Sequence, residues 1–100
     1  MFARTTKFQL QPDRMSEFMR IMRELIVPTL QRQPGFRSIT LLVNEANNHV
    51  LGMTQWTAQV NLAAMEIGEV NRQLLEALRP CIAQPPVQES YAIALQVEPI

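Results

Sequence analysis

The hydropathy of this 100-residue chain switches between a two-residue and a helical period in the order strand, helix, strand, strand, helix, strand, and that order narrows the fold more than any other feature. Phe2 to Leu10 sets Phe2, Thr6, Phe8 and Leu10 on one side and Ala3, Thr5, Lys7 and Gln9 on the other, the signature of a half-buried strand. After Pro12, Asp13 stands where an N-cap is wanted. Met15, Phe18, Met19, Met22, Leu25, Ile26 and Leu30 then form one apolar stripe, opposed by Arg14, Glu17, Arg20 and Glu24. Pro28 falls inside that pattern and predicts a kink or a tightened turn just before it, and Pro34-Gly35 ends the helix.

Phe36 to Val43 is the second strand, with Ile39, Leu41 and Val43 alternating against Phe36, Ser38, Thr40 and Leu42, and both faces are expected to be covered. Asn44 to Asn48 tolerates positive φ and reads as a hairpin loop into a third strand, His49 to Thr57, in which Gly52 predicts a bulge or a close backbone approach. Val60 to Ile67 and Val70 to Ile82 read as a second helix broken at Gly68. Val87 to Val97 is the longest alternating run and predicts the last strand.

This order predicts a single α+β domain over residues 1–100: a ferredoxin-like βαββαβ sandwich with an antiparallel four-stranded sheet and both helices on one face. The other face would expose apolar residues from several strands, a larger patch than monomers usually carry. A homodimer through the helix-free sheet face is therefore expected, with the second and last strands supplying the pairing surface.

Nine basic and nine acidic side chains cancel, so the electrostatic footprint of a nucleic-acid or anionic-membrane binder is missing. Cys81 is the sole cysteine, which excludes an intramolecular disulfide and fits a small buried hydrophobe. No run is long enough to span a bilayer, and Phe2 to Phe8 enters a strand with no signal-peptide core, so a cytoplasmic location is expected.

The opening strand Phe2-Ala3-Arg4-Thr5-Thr6-Lys7-Phe8, the helix after Pro12-Asp13, the Pro34-Gly35-Phe36 turn, the Gln55-Trp56-Thr57 strand exit and Pro85-Pro86-Val87-Gln88-Glu89-Ser90-Tyr91 occur in an order and spacing that resembles the antibiotic biosynthesis monooxygenase-like domains of the dimeric α+β barrel superfamily. The resemblance implies a dimeric barrel with a cavity between helices and sheet in each subunit. It also implies oxidation of aromatic or quinol substrates by molecular oxygen without metal or flavin, or, in other members, haem degradation. The haem-degrading pattern uses an asparagine on the first strand, a tryptophan leaving the third and a histidine on the next helix. Here Trp56 matches, but the first strand offers Thr5 and Thr6, and Met65 lies about where the histidine would stand. Haem degradation is therefore not expected.

Three residues are candidates for chemistry, each beside a plainer reading. Trp56 would stack on a planar ligand or simply fill the core. Tyr91 offers a phenol for proton transfer or packs at an interface. Arg4, like Arg37, would clamp a carboxylate or phenolate, or pair with Glu89 or Glu98. His49 follows Asn47-Asn48 and is expected in solvent, and with no second histidine or cysteine at ligand spacing no metal site is expected. Met15, Met19, Met22, Met53 and Met65 suggest a deformable apolar lining or ordinary core.

Two functions stay open on the sequence. One is a cofactor-independent monooxygenase, or related enzyme, acting on a small planar aromatic. The other is a non-catalytic homodimeric domain that binds a small ligand or a partner.

Overall fold

A computed structural model describes residues 1–100. Four strands, β1 (Phe2–Gln9), β2 (Phe36–Asn44), β3 (His49–Trp56) and β4 (Val87–Ala92), form one antiparallel sheet in the order β2-β3-β1-β4. Four α-helical segments pack on it: α1 (Met15–Ile21), α2 (Val27–Gln31), α3 (Gln59–Ile67) and α4 (Glu69–Leu78). This is the ferredoxin-like α+β sandwich predicted from the order of periods.

A 13-residue apolar cluster joins sheet and helices, with Phe8, Val50 and Trp56 from the sheet meeting Phe18, Met22, Ile26, Leu62, Leu74 and Leu78 from the helices. Phe8 and Phe18 touch edge to face, their ring centroids 5.1 Å apart. Each such ring, fully buried, contributes about 2–3 kcal/mol by removal of apolar surface from water. Cys81 is fully buried here, as its position in an apolar stripe predicts.

Five local features depart from the sequence reading. Asp13 does not cap α1: Arg14 occupies that position without a side-chain cap, and Asp13 instead takes a left-handed conformation at φ 63°. Aspartate is among the few side chains that tolerate such a φ, and the turn closes through Arg14 N–H to Gln11 O at 3.2 Å. Before Pro28 the helix widens rather than tightens, in a π-turn over Met22–Ile26 closed by the Val27 N–H to Met22 O bond. The wider turn answers the helical bond that the proline ring displaces.

Gly52 makes a close approach, and the bulge lies on β2 instead, between Phe36 and Ser38. Arg37 is the extra residue, so Phe36 faces Trp56, at a centroid distance of 5.6 Å, rather than sharing a side with Ser38 and Thr40. Nor are both faces of β2 covered: it is an edge strand, with Leu42 59% and Val43 41% exposed. The last strand ends at Ala92, not Val97. Ile93 N–H reaches Met1 O at 2.9 Å, and beyond it the ladder to β1, which starts at Phe2, runs out.

Candidate functional site

Alternation on the four strands turns Arg4, Thr6 and Phe8 of β1, Ile39 and Leu41 of β2, Gly52, Thr54 and Trp56 of β3, and Gln88 of β4 toward the helices. With Met22, Ile26, Leu30, Met65, Asn71, Leu74, Leu75 and Leu78 they line a chamber of about 70 Å³ between sheet and helices. Gly52 forms part of its floor because it lacks a side chain: a Cβ there would stand 3.3 Å from Leu41 Cδ2 and 3.8 Å from Phe8 Cε2.

Trp56 is 1% exposed and serves as both core and wall. Its indole N–H donates to Thr54 Oγ1 at 2.9 Å, and Phe36 meets the ring at 81°, so two contacts fix its plane.

Arg4 is the one cation in this wall. Its Nη2 donates to Gln88 Oε1 at 2.7 Å, its Nη1 pairs with Glu66 Oε1 at 3.2 Å, and its Nε is buried with no hydrogen-bond partner. Gln88 passes the network on through Nε2 to Thr6 Oγ1 at 3.3 Å, and Ser90 donates to Glu66. Burial holds the Arg4 guanidinium below the usual arginine range, yet such a group stays charged at any ordinary pH. The pairing expected with Glu89 or Glu98 is thus replaced by one with Glu66, which the end of α3 brings over β1 and β4.

Tyr91 stands apart from these two residues. It lies opposite Ala3 in the β1–β4 ladder, on the face turned away from the helices, and is 48% exposed. Its hydroxyl donates to Glu89 Oε2 at 2.9 Å, and this bond, then desolvation and the Glu89 charge, pushes the phenol above its ordinary range. The structure therefore brings Arg4 and Trp56 together and leaves Tyr91 outside the chamber.

His49 and Arg37 are exposed, and neither makes an ion pair. Burial also raises the Cys81 thiol, with Glu17 adding to the effect. No three His, Cys, Asp or Glu side chains stand close enough to hold a metal ion. Of the polar groups that sequence reasoning missed, Gln88 carried a signal: it shares the parity of the β4 side that must face Thr6 if Arg4 faces inward. Glu66 carried none, because its role depends on how α3 crosses the sheet.

The profile of the antibiotic biosynthesis monooxygenase family matches residues 1–66, which hold β1 to β3 and most of α3. The chain belongs to the antibiotic biosynthesis monooxygenase family. Solved structures that resemble this family member include SnoaB of Streptomyces nogalater, described as a cofactor-independent oxygenase, at 20% identity over 99% of this chain and 97% of that one, with a TM-score of 0.78. A Bordetella bronchiseptica protein given the same family name superposes with a TM-score of 0.80 at 18% identity, over 94% and 97% of the two chains. One from Nitrosomonas europaea gives 0.77 at 14% identity, over 95% and 100%. At these identities the likeness is one of fold. No curated protein matches the chain by sequence. No helix is long and apolar enough to cross a membrane.

Proposed function

We propose that this family member is a cofactor-independent oxygenase of small phenolic or quinol aromatics, and that Trp56 and Arg4 receive the substrate in the chamber between helices and sheet. The observation that carries this reading is that one mostly apolar space between sheet and helices has a fixed indole on one wall and a single guanidinium on another. In such chemistry the substrate supplies the electrons. A ring CH₂ of the keto tautomer of a phenol becomes C=O, one oxygen atom of O₂ entering there and the other leaving as water with the two hydrogens. The protein's part is to exclude water, hold the ring plane and stabilise negative charge on the substrate oxygen as its proton leaves. Trp56 serves the second task and Arg4 the third, while Tyr91 belongs to the subunit-pairing face.

That face carries Leu42, Val87 and Tyr91, 59%, 55% and 48% exposed, with Leu51 and Met53 between them on β3. A second copy stacked on it would bury them, and β2 and β4 offer free edges to close a barrel.

The test is oxygen uptake with a panel of naphthols and quinols. Turnover that falls at least about tenfold in Trp56→Phe and Arg4→Gln supports the assignment. Saturable binding without oxygen uptake supports the second reading, a non-catalytic ligand-binding dimer, which is favoured by Arg4 being already paired and by the absence of histidine from the chamber wall.

A further inference from the structure

The chamber is too small as it stands for the ligand assigned to it. About 70 Å³ holds two waters and not a ring system. Part of the wall must therefore move, and α3 is the segment that borders both the chamber and two grooves beside it. On one side, Phe2, Leu62, Glu66, Ser90 and Tyr91 line an outer groove of about 240 Å³. On another, Trp56 and Met65 are walls shared between the chamber and a groove of about 100 Å³ beside Pro34 and Gly68. The helix has nine residues and is bounded by extended backbone at both ends, at Ala58 (φ −137°, ψ 154°) and Gly68 (φ −80°, ψ 158°). Leu62 and Met65 hold it from within, whereas Val60 and Ile67 are 71% and 88% exposed and hold nothing. Its polar fastening is Glu66, on Arg4 and Ser90.

Arg4 stands between the chamber and Glu66. Its side chain is 11% exposed, its Nε has no partner, and Gln88 takes only one direction of the guanidinium fork. A buried cation that loses its carboxylate must find another acceptor or bear the cost of being unpaired. We propose that Glu66 occupies on Arg4 the place that an acidic oxygen of the ligand takes, so that the Arg4–Glu66 pair is both the fastening of α3 and the specificity filter of the chamber. Planar aromatics bearing a carboxylate or an ionisable phenol replace Glu66 and are admitted. Neutral rings of the same size leave Arg4 unpartnered and are refused. Glu66 is thus a positioning residue that acts through Arg4, and the inference rests on the chamber being the ligand site.

Trp56, the only tryptophan, supplies the readout. The probes are 2-naphthoate and its neutral analogue 2-naphthalenemethanol, followed by Trp56 emission, with acrylamide quenching as the measure of access. Glu66→Gln keeps the size of the side chain and removes its charge. It is expected to tighten naphthoate binding roughly three- to tenfold, to leave the neutral probe unchanged and to raise acrylamide quenching. Arg4→Gln is expected to erase the preference for naphthoate. With circular dichroism unchanged, equal gains for both probes in Glu66→Gln, or no gain for naphthoate, overturn the proposal. Neither probe binding any variant overturns the chamber as a ligand site as well. Naphthoate bound as expected but phenols never oxidised removes only the oxygenase reading.

Discussion

Thr54 and Trp56, one pleat apart on β3, are joined by the indole N–H donating to the threonine hydroxyl at 2.9 Å, so a bond within a single strand sets the plane of the largest ring in the core. Thr54→Val keeps the shape and removes the acceptor, leaving the N–H of a 1%-exposed indole without a partner. The expected loss is about 1–3 kcal/mol of unfolding free energy, read from urea denaturation. Trp56 emission is expected to shift to shorter wavelength.

Gly52→Ala separates the chamber from the stability of the fold. The new methyl meets Leu41 Cδ2 at 3.3 Å, the end of a flexible side chain, and no backbone closer than Thr6 O at 3.8 Å. Stability is expected to change by less than about 1 kcal/mol, because the gain in strand rigidity offsets the crowding. Ligand-induced quenching of Trp56 should fall severalfold. Intact quenching would mean that ligands do not use this floor.

Leu42→Glu places a charge on an exposed position of β2 and leaves the core untouched. Sedimentation is expected to return a dimer for the parent chain at micromolar concentration and a monomer for the variant, with the same far-ultraviolet dichroism. A parent chain that sediments as a monomer would remove the pairing face from the account.

Tyr91 is the only tyrosine, so tyrosinate absorbance reports its titration directly. Its hydrogen bond to Glu89 favours the protonated phenol, and the folded pKa lies above the unfolded one. The contribution to stability is therefore fully present below the unfolded pKa, near 10, and is lost as pH rises through the folded value. Glu89→Gln is expected to return the titration toward the ordinary range.

The strand and helix order was legible because each element buries one face, and burial writes its period into the sequence. Phe8, Phe18 and Leu30 could be placed on inner faces that way, as could the break at Gly68. The misplaced details have local causes that hydropathy does not encode. A bulge costs one residue and inverts the parity of Phe36, and a π-turn leaves the apolar spacing around Pro28 intact. The alternation from Ile93 to Val97 continues after its partner strand has run out. At the site, Trp56 and Arg4 could be named from residue type and strand position, and the parity of β1 could have separated Arg4 from any group level with Ala3. Tyr91 is such a group, opposite Ala3 in the ladder, and so it faces away. Glu66 was beyond reach because its meeting with Arg4 spans two elements whose crossing only the packed structure defines.

At this chain length the bulge at Arg37 is what keeps Phe36 on the same side of the sheet as Trp56. Deletion of Arg37 would leave Phe36 opposite Trp56 in a regular ladder, whereas loss of the bulge with Arg37 retained would turn Phe36 to the side of Ser38 and strip one of the two contacts that hold the indole. The strand would then look more regular and work less well. Among homologous chains, loss of the bulge at unchanged length would accordingly retune the chamber wall while every side chain that lines it stayed the same, and a chain one residue shorter there would need no bulge to keep Phe36 on the indole.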